Sequence, residues 1–91
     1  MILPHAFFSK ALEFDPKDKT ARYQRALVNY RLKRYQNSVS DLSFLIDNFG
    51  ANPNYLKYRG LSYMKLRNFD PCRNDLQAAI NIKENDPELH Y

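Results

Sequence analysis

Residues 26–42, ALVNYRLKRYQNSVSDL, and residues 60–76, GLSYMKLRNFDPCRNDL, carry one pattern twice. Each has Leu in second place (Leu27, Leu61) and in seventh (Leu32, Leu66), an aromatic in tenth (Tyr35, Phe69) and Asp-Leu at the close (Asp41-Leu42, Asp75-Leu76). The separation is 34 residues, and a fixed period of that length decides the architecture, because each unit must bury its apolar face against a neighbour like itself. Laying residues 17–50 over 51–84 adds the identities Arg25/Arg59 and Ile46/Ile80. Near matches follow at Ala26/Gly60, Arg31/Lys65, Lys33/Arg67 and Ser38/Cys72. The same register run backwards sets Phe8 on Leu42, Ala11 on Leu45 and Leu12 on Ile46. Run forwards, it sets Asp86-Pro87 on Asn52-Pro53, both reading as an N-cap followed by Pro at the first helical position.

Within each unit the apolar residues keep helical spacing: Tyr23, Ala26, Leu27, Tyr30, then Val39, Leu42, Leu45, Ile46. Asp70-Pro71 reads as another cap and N1 pair, and Asp15-Pro16 closes the first helix because Pro cannot extend it. The spacing predicts five helices, over 4–14, 19–33, 36–48, 53–66 and 70–83. Links this short leave neighbouring helices antiparallel. The expected organisation is one array: a second helix in 1–16, full units in 17–50 and 51–84, and the start of another in 85–91.

Composition agrees with an ordinary globular chain: 91 residues, 44% hydrophobic, 26% charged, two Gly and five Pro. The apolar opening Met1–Phe8 lacks a basic flank and a small-residue cleavage site, and the one cysteine makes no internal disulfide. The reading is an intracellular, cytoplasmic protein with no membrane insertion. A catalytic site is not expected. Gly50 and Gly60 are isolated and form no phosphate loop, His5 and His90 lie far apart, and Cys72 sits at a small-residue helix position. Cys and His show no metal spacing, so neither metal nor cofactor is expected.

The chain resembles the tetratricopeptide repeat family, whose 34-residue unit places aromatic and small residues at set intervals. Its small residue against the paired helix falls on Ala26 and Gly60, that of the second helix on Ser38 and Cys72, and the later one on Ala11, Leu45 and Ala79. Lys10-Ala11-Leu12-Glu13-Phe14-Asp15-Pro16 is similar to the close of such a unit. Departures are Arg22 or Leu56 where Trp is expected, Arg25 or Arg59 for Leu, and Gly50 or Glu84 for the closing Pro. The resemblance implies an all-α fold of antiparallel helix-turn-helix repeats stacked as a right-handed α-solenoid. Pentatricopeptide and Sel1-like arrays have neighbouring periods, and a plain helical bundle is the simplest alternative.

Arg25 and Arg59 stand where an apolar residue is expected, and Asp41 and Asp75 follow each at 16 residues. A partly buried Arg demands a carboxylate, so Arg25–Asp41 and Arg59–Asp75 are expected as structural ion pairs across each hairpin. The other cations are unevenly placed. Residues 19–34 hold Lys19, Arg22, Arg31, Lys33 and Arg34 besides Arg25, and residues 53–67 hold Lys57, Lys65 and Arg67 besides Arg59, with no acid in either stretch. In proteins similar to this one the first helices line a concave groove, which makes that groove the basic side. Helical spacing nominates Thr20, Tyr23, Gln24, Leu27 and Arg31 on one helix, and Asn54, Lys57, Tyr58, Leu61 and Lys65 on the next.

Such a surface suits an acidic and apolar peptide segment, with Tyr as rigid anchors and Lys or Arg attracting at distance. The expected role is therefore a non-enzymatic protein-interaction scaffold. The carboxylate clamp by which some family members grip acidic chaperone tails is missing: its positions hold Tyr23 and Leu27, Lys57 and Leu61, Thr20 and Gln24, Asn54 and Tyr58. An alternative is an RNA-associated array, since a net charge of +4 and Tyr interleaved with Lys and Arg suit stacking and phosphate contact. Self-association through uncovered ends, with Phe7 and Phe8 exposed, is a further expectation.

Overall fold

A computed structural model describes residues 4–84. Five helices follow one another: α1 (Pro4–Phe14), α2 (Lys19–Arg31), α3 (Tyr35–Phe49), α4 (Pro53–Lys65) and α5 (Phe69–Glu84). Among the described residues the fold is all-helical. Each helix packs on the next along an elongated body of 45 × 29 × 22 Å. Among the described residues α2 and α4 also approach one another, whereas the backbones of α1, α3 and α5 stay apart. The array is thus pinched along its α2–α4 side and splayed along the other, a packing consistent with a helical repeat.

Local chemistry explains the ends. Asp18 caps α2 by accepting from the Ala21 amide at 3.0 Å, and Asn52 caps α4 by accepting from the Asn54 amide at 2.8 Å, with Pro53 at N1. At α5 the sequence expectation needs correction. The helix begins at Phe69, and the Asn68 carbonyl accepts from the Cys72 amide at 3.2 Å, so Asn68 is the cap residue. Asp70 and Pro71 then lie inside the first turn, where Pro is tolerated because those amides have no intrahelical partner. Asp86-Pro87, the expected start of a further unit, lies outside the described residues.

α2 and α4 stop one 34-residue period apart in sequence and in the same way. Lys33 and Arg67 both take positive φ, 64° and 62°. The Lys33 amide donates to Tyr30 (3.1 Å) and Arg34 to Asn29 (2.7 Å); Arg67 donates to Met64 (3.0 Å) and Asn68 to Tyr63 (2.8 Å). These are paired Schellman closures at equivalent positions, made without glycine. α2 therefore ends at Arg31, two residues before the sequence expectation, because neither Gly, Asn nor Pro marks this stop. Gly50 closes α3 at φ 98°, where an L side chain is strained.

The core holds Ala26, Leu42, Leu45 and Tyr55, with Tyr23, Ile46 and Tyr58 packed against it. Ala26, Leu42 and Leu45 are fully buried. A fully buried Leu contributes about 1.5–3 kcal/mol, so Leu42 and Leu45 anchor the joint between hairpins. At Gly60 a Cβ would stand 2.9 Å from Leu76 Cδ2, which shows how closely α4 and α5 approach. Ser38 and Cys72 occupy equivalent buried helix contacts. Phe7, Phe14, Phe69 and Ile80 remain exposed.

Candidate interaction surface

Arg25 lies on the buried side of α2 and spans three helices. Its Nε donates to Asp41 Oδ2 at 2.9 Å and its Nη2 to Asp41 Oδ1 at 2.5 Å, while Nη1 donates backwards to Ser9 Oγ on α1 at 3.0 Å. Arg59 does the same one unit on: Nε to Asp75 Oδ2 at 2.7 Å, Nη2 to Asp75 Oδ1 at 2.8 Å, and Nη1 to Ser43 Oγ at 3.2 Å. Hydrogen bonding to the carboxylate holds each guanidinium pKa above its ordinary value, against the opposing effect of burial. The bidentate fork fixes the angle of each hairpin as well as neutralising a buried charge.

Asp41 is 2% exposed and has further donors. Arg22 Nη1 reaches Asp41 Oδ1 and Asn29 Nδ2 reaches Asp41 Oδ2, both at 3.4 Å. Arg22 also donates from Nη2 to the Pro16 carbonyl at 2.9 Å and lies 3.8 Å over the Phe44 ring. Where an aromatic was expected, the guanidinium plane therefore takes its place by stacking on one. The sequence reading missed Ser9, Ser43 and Arg22. Ser9 and Ser43 were open to discovery, since they obey the same 34-residue period and precede each Arg by 16.

On the pinched side, tyrosines join α2 to α4. Ring centroids run Tyr55–Tyr23 at 5.3 Å, Tyr23–Tyr58 at 6.5 Å, Tyr58–Tyr30 at 5.9 Å and Tyr30–Tyr35 at 5.6 Å. All four pairs are edge-on or tilted, the arrangement favoured by the ring quadrupole. Burial chiefly, with Tyr58 and Tyr55 nearby, pushes the Tyr23 phenol pKa up. Lys57 Nζ stands 5.5 Å from the Tyr58 ring.

The structure places the nominated surface residues at two depths. Thr20, Gln24 and Arg31 on α2, and Asn54, Lys57 and Lys65 on α4, are exposed. Tyr23, Leu27, Tyr58 and Leu61 are half-buried. Tyr23 and Tyr58 thus belong both to the seam between helices and to its outer surface. Tyr30, Tyr35 and Tyr55 complete the ladder and were not nominated, because which rings meet depends on how closely α2, α3 and α4 approach. Among the described residues no three His, Cys, Asp or Glu side chains are grouped to hold a metal, and no helix is long and apolar enough to cross a membrane.

Neither protein-family models nor curated proteins compared with the chain give a match.

Proposed function

We propose that the chain is a tetratricopeptide-type array, a right-handed α-solenoid acting as a non-enzymatic scaffold that holds an acidic and apolar segment of a partner along α2 and α4. The observation that carries this reading is the α2–α4 side itself: half-buried tyrosines from both helices, exposed Arg31, Lys57 and Lys65 around them, and no acidic residue in either helix. Tyr23 and Tyr58 offer flat apolar area at little entropic cost, since their rings are already held by neighbours. Leu27 and Leu61 extend the apolar strip, and Gln24 supplies a hydrogen-bonding group. The cations steer an acidic segment from a distance and fix its direction.

The test is a selection from a displayed peptide library, followed by fluorescence anisotropy of the enriched peptides at two salt concentrations. Peptides combining Asp or Glu with aromatic or aliphatic residues are expected, with affinity weakened by salt and lost in a Tyr58→Ala, Lys65→Glu double variant. Enrichment of basic peptides, or binding untouched by the double variant, rejects the assignment. A second reading, single-stranded RNA along the same side, is favoured by the tyrosine ladder beside Lys57. It predicts tight retention of oligonucleotides by the wild-type chain and none by the double variant.

A further inference from the structure

The two units are built alike, so the places where they differ are informative. Position for position along the 34-residue period, Asn29 stands where the second unit has Tyr63, and Asn37 stands where it has Pro71. In the second unit Tyr63 lies beside the ion pair, its ring 5.9 Å from the Arg59 guanidinium. In the first unit the corresponding space is a polar cleft of about 220 Å³ between α1 and α3, with α2 as its floor. Ser9, Arg25, Asn29, Asn37, Ser40 and Asp41 line it. Helix packing does not require this polarity, because the second unit packs with an aromatic and a proline at the same positions.

Asn29 is 4% exposed, and its side-chain Oδ1 has no hydrogen-bond partner. An unpaired acceptor at such depth costs about 1–3 kcal/mol, so the cleft favours a group that donates to it. The Asp41 carboxylate on its α3 wall is already satisfied. Asp41 receives four donors, from Arg25 twice, Arg22 and Asn29, which fills the lone-pair sites of a carboxylate. A cationic guest would meet the surplus positive charge of Arg22 and Arg25 over Asp41, and a carboxylate would set acceptor against acceptor at Asn29 Oδ1. Ser9 Oγ accepts from Arg25, which leaves its own proton to donate. Ser40 and Asn37 are exposed and form the lip.

A donor is wanted by Asn29 and an acceptor by Ser9, and neither a cation nor a carboxylate serves both. We infer that the cleft between α1 and α3 binds an uncharged primary carboxamide, the side chain of a glutamine or asparagine on a partner protein. The cleft has room for about seven waters, and one carboxamide displaces some of them while reproducing both kinds of hydrogen bond. This site lies away from the α2–α4 surface and does not depend on what that surface binds.

The experiment is an NMR titration of the isotope-labelled chain with N-acetylglutamine methylamide, its glutamate counterpart and its alanine counterpart. The expected result is a saturable shift, in the millimolar range, confined to Ser9, Asn29, Asn37 and Ser40, given by the glutamine compound alone. Asn29→Tyr, which installs the residue of the second unit, and Asn29→Leu, which removes the acceptor, are each expected to abolish it while circular dichroism shows the helices retained. No saturable shift, an equal shift from the alanine or glutamate compound, or a shift unchanged in whichever variant stays folded overturns the inference.

Discussion

Arg25 and Arg59, one full period apart, make the same three contacts: two nitrogens forward to an Asp and one nitrogen back to a Ser. Their acceptors are unequal in company. Asp41 also takes Arg22 and Asn29, while Asp75 is held by the Arg59 fork.

Removing the acceptor should therefore cost more in the first hairpin. Asp41→Ala strands Arg25 and leaves Arg22 and Asn29 without their carboxylate, a loss of about 3–5 kcal/mol expected for breaking a buried pair. Asp75→Ala should cost less, since it unpairs the Arg59 fork where Asp41→Ala unpairs Arg25, Arg22 and Asn29 together. Urea denaturation of both variants checks the order; equal losses would show that the extra donors on Asp41 add nothing.

The two turns made at positive φ without glycine offer stabilisation. The left-handed conformation costs an L residue about 1–2 kcal/mol, so Lys33→Gly and Arg67→Gly should each raise stability by up to about 1 kcal/mol after the unfolded chain's gain in freedom is subtracted. The two gains should add, because the turns belong to different hairpins. Thermal denaturation of the single and double variants measures this, and a loss in either single variant would contradict the turn geometry.

Ser38 is fully buried and its Oγ has no partner. Ser38→Ala removes an unsatisfied hydroxyl without opening appreciable space, so a gain of about 1 kcal/mol is expected. Cys72 tolerates the equivalent position as a small apolar group, and Cys72→Ala should change stability much less. Chemical denaturation of both variants decides between this and a hydroxyl that the fold needs.

Alkaline pH should loosen the tyrosine ladder. The Tyr23 phenol is held above its ordinary value of about 10 by burial, so its neutral form is favoured in the folded chain. Its contribution is fully present below that ordinary value and is lost as pH rises through the folded one. Stability should fall as pH climbs past about 10. Tyr23→Phe should reduce the fall. A pH scan of the unfolding midpoint for both chains tests it, and superimposable scans would refute the assignment to Tyr23.

The helices were legible because period and spacing agree: a 34-residue repeat with apolar positions at helical intervals leaves little choice of element. Their ends were less so. At Lys33 the stop is made by a backbone closure that any residue can adopt at a cost, and no residue type announces it. At α5 the Asp-Pro pair suggested a later start than Asn68 permits, since Pro is tolerated anywhere in a first turn. Arg25 and Asp41 stood out because charge at an apolar position recurs as Arg59 and Asp75. Ser9 and Ser43 recur as faithfully, yet a serine on a helix carries no demand that singles it out. Arg22, whose partners lie on α3 and at Pro16, and the tyrosine ladder depend on how closely helices approach one another, which is a long-range property that no local pattern encodes.

The backward reach of Arg25 to Ser9 and of Arg59 to Ser43 has a bearing on how the molecule comes apart. A guanidinium that grips the helix before its own hairpin as well as the helix after it makes adjoining units share a fastening. The smallest separable piece is then larger than a hairpin. Opening at one joint leaves an arginine half-held at the next, so that the strain of a local opening is passed along the row. Across the units described, this favours coming undone together over peeling one at a time.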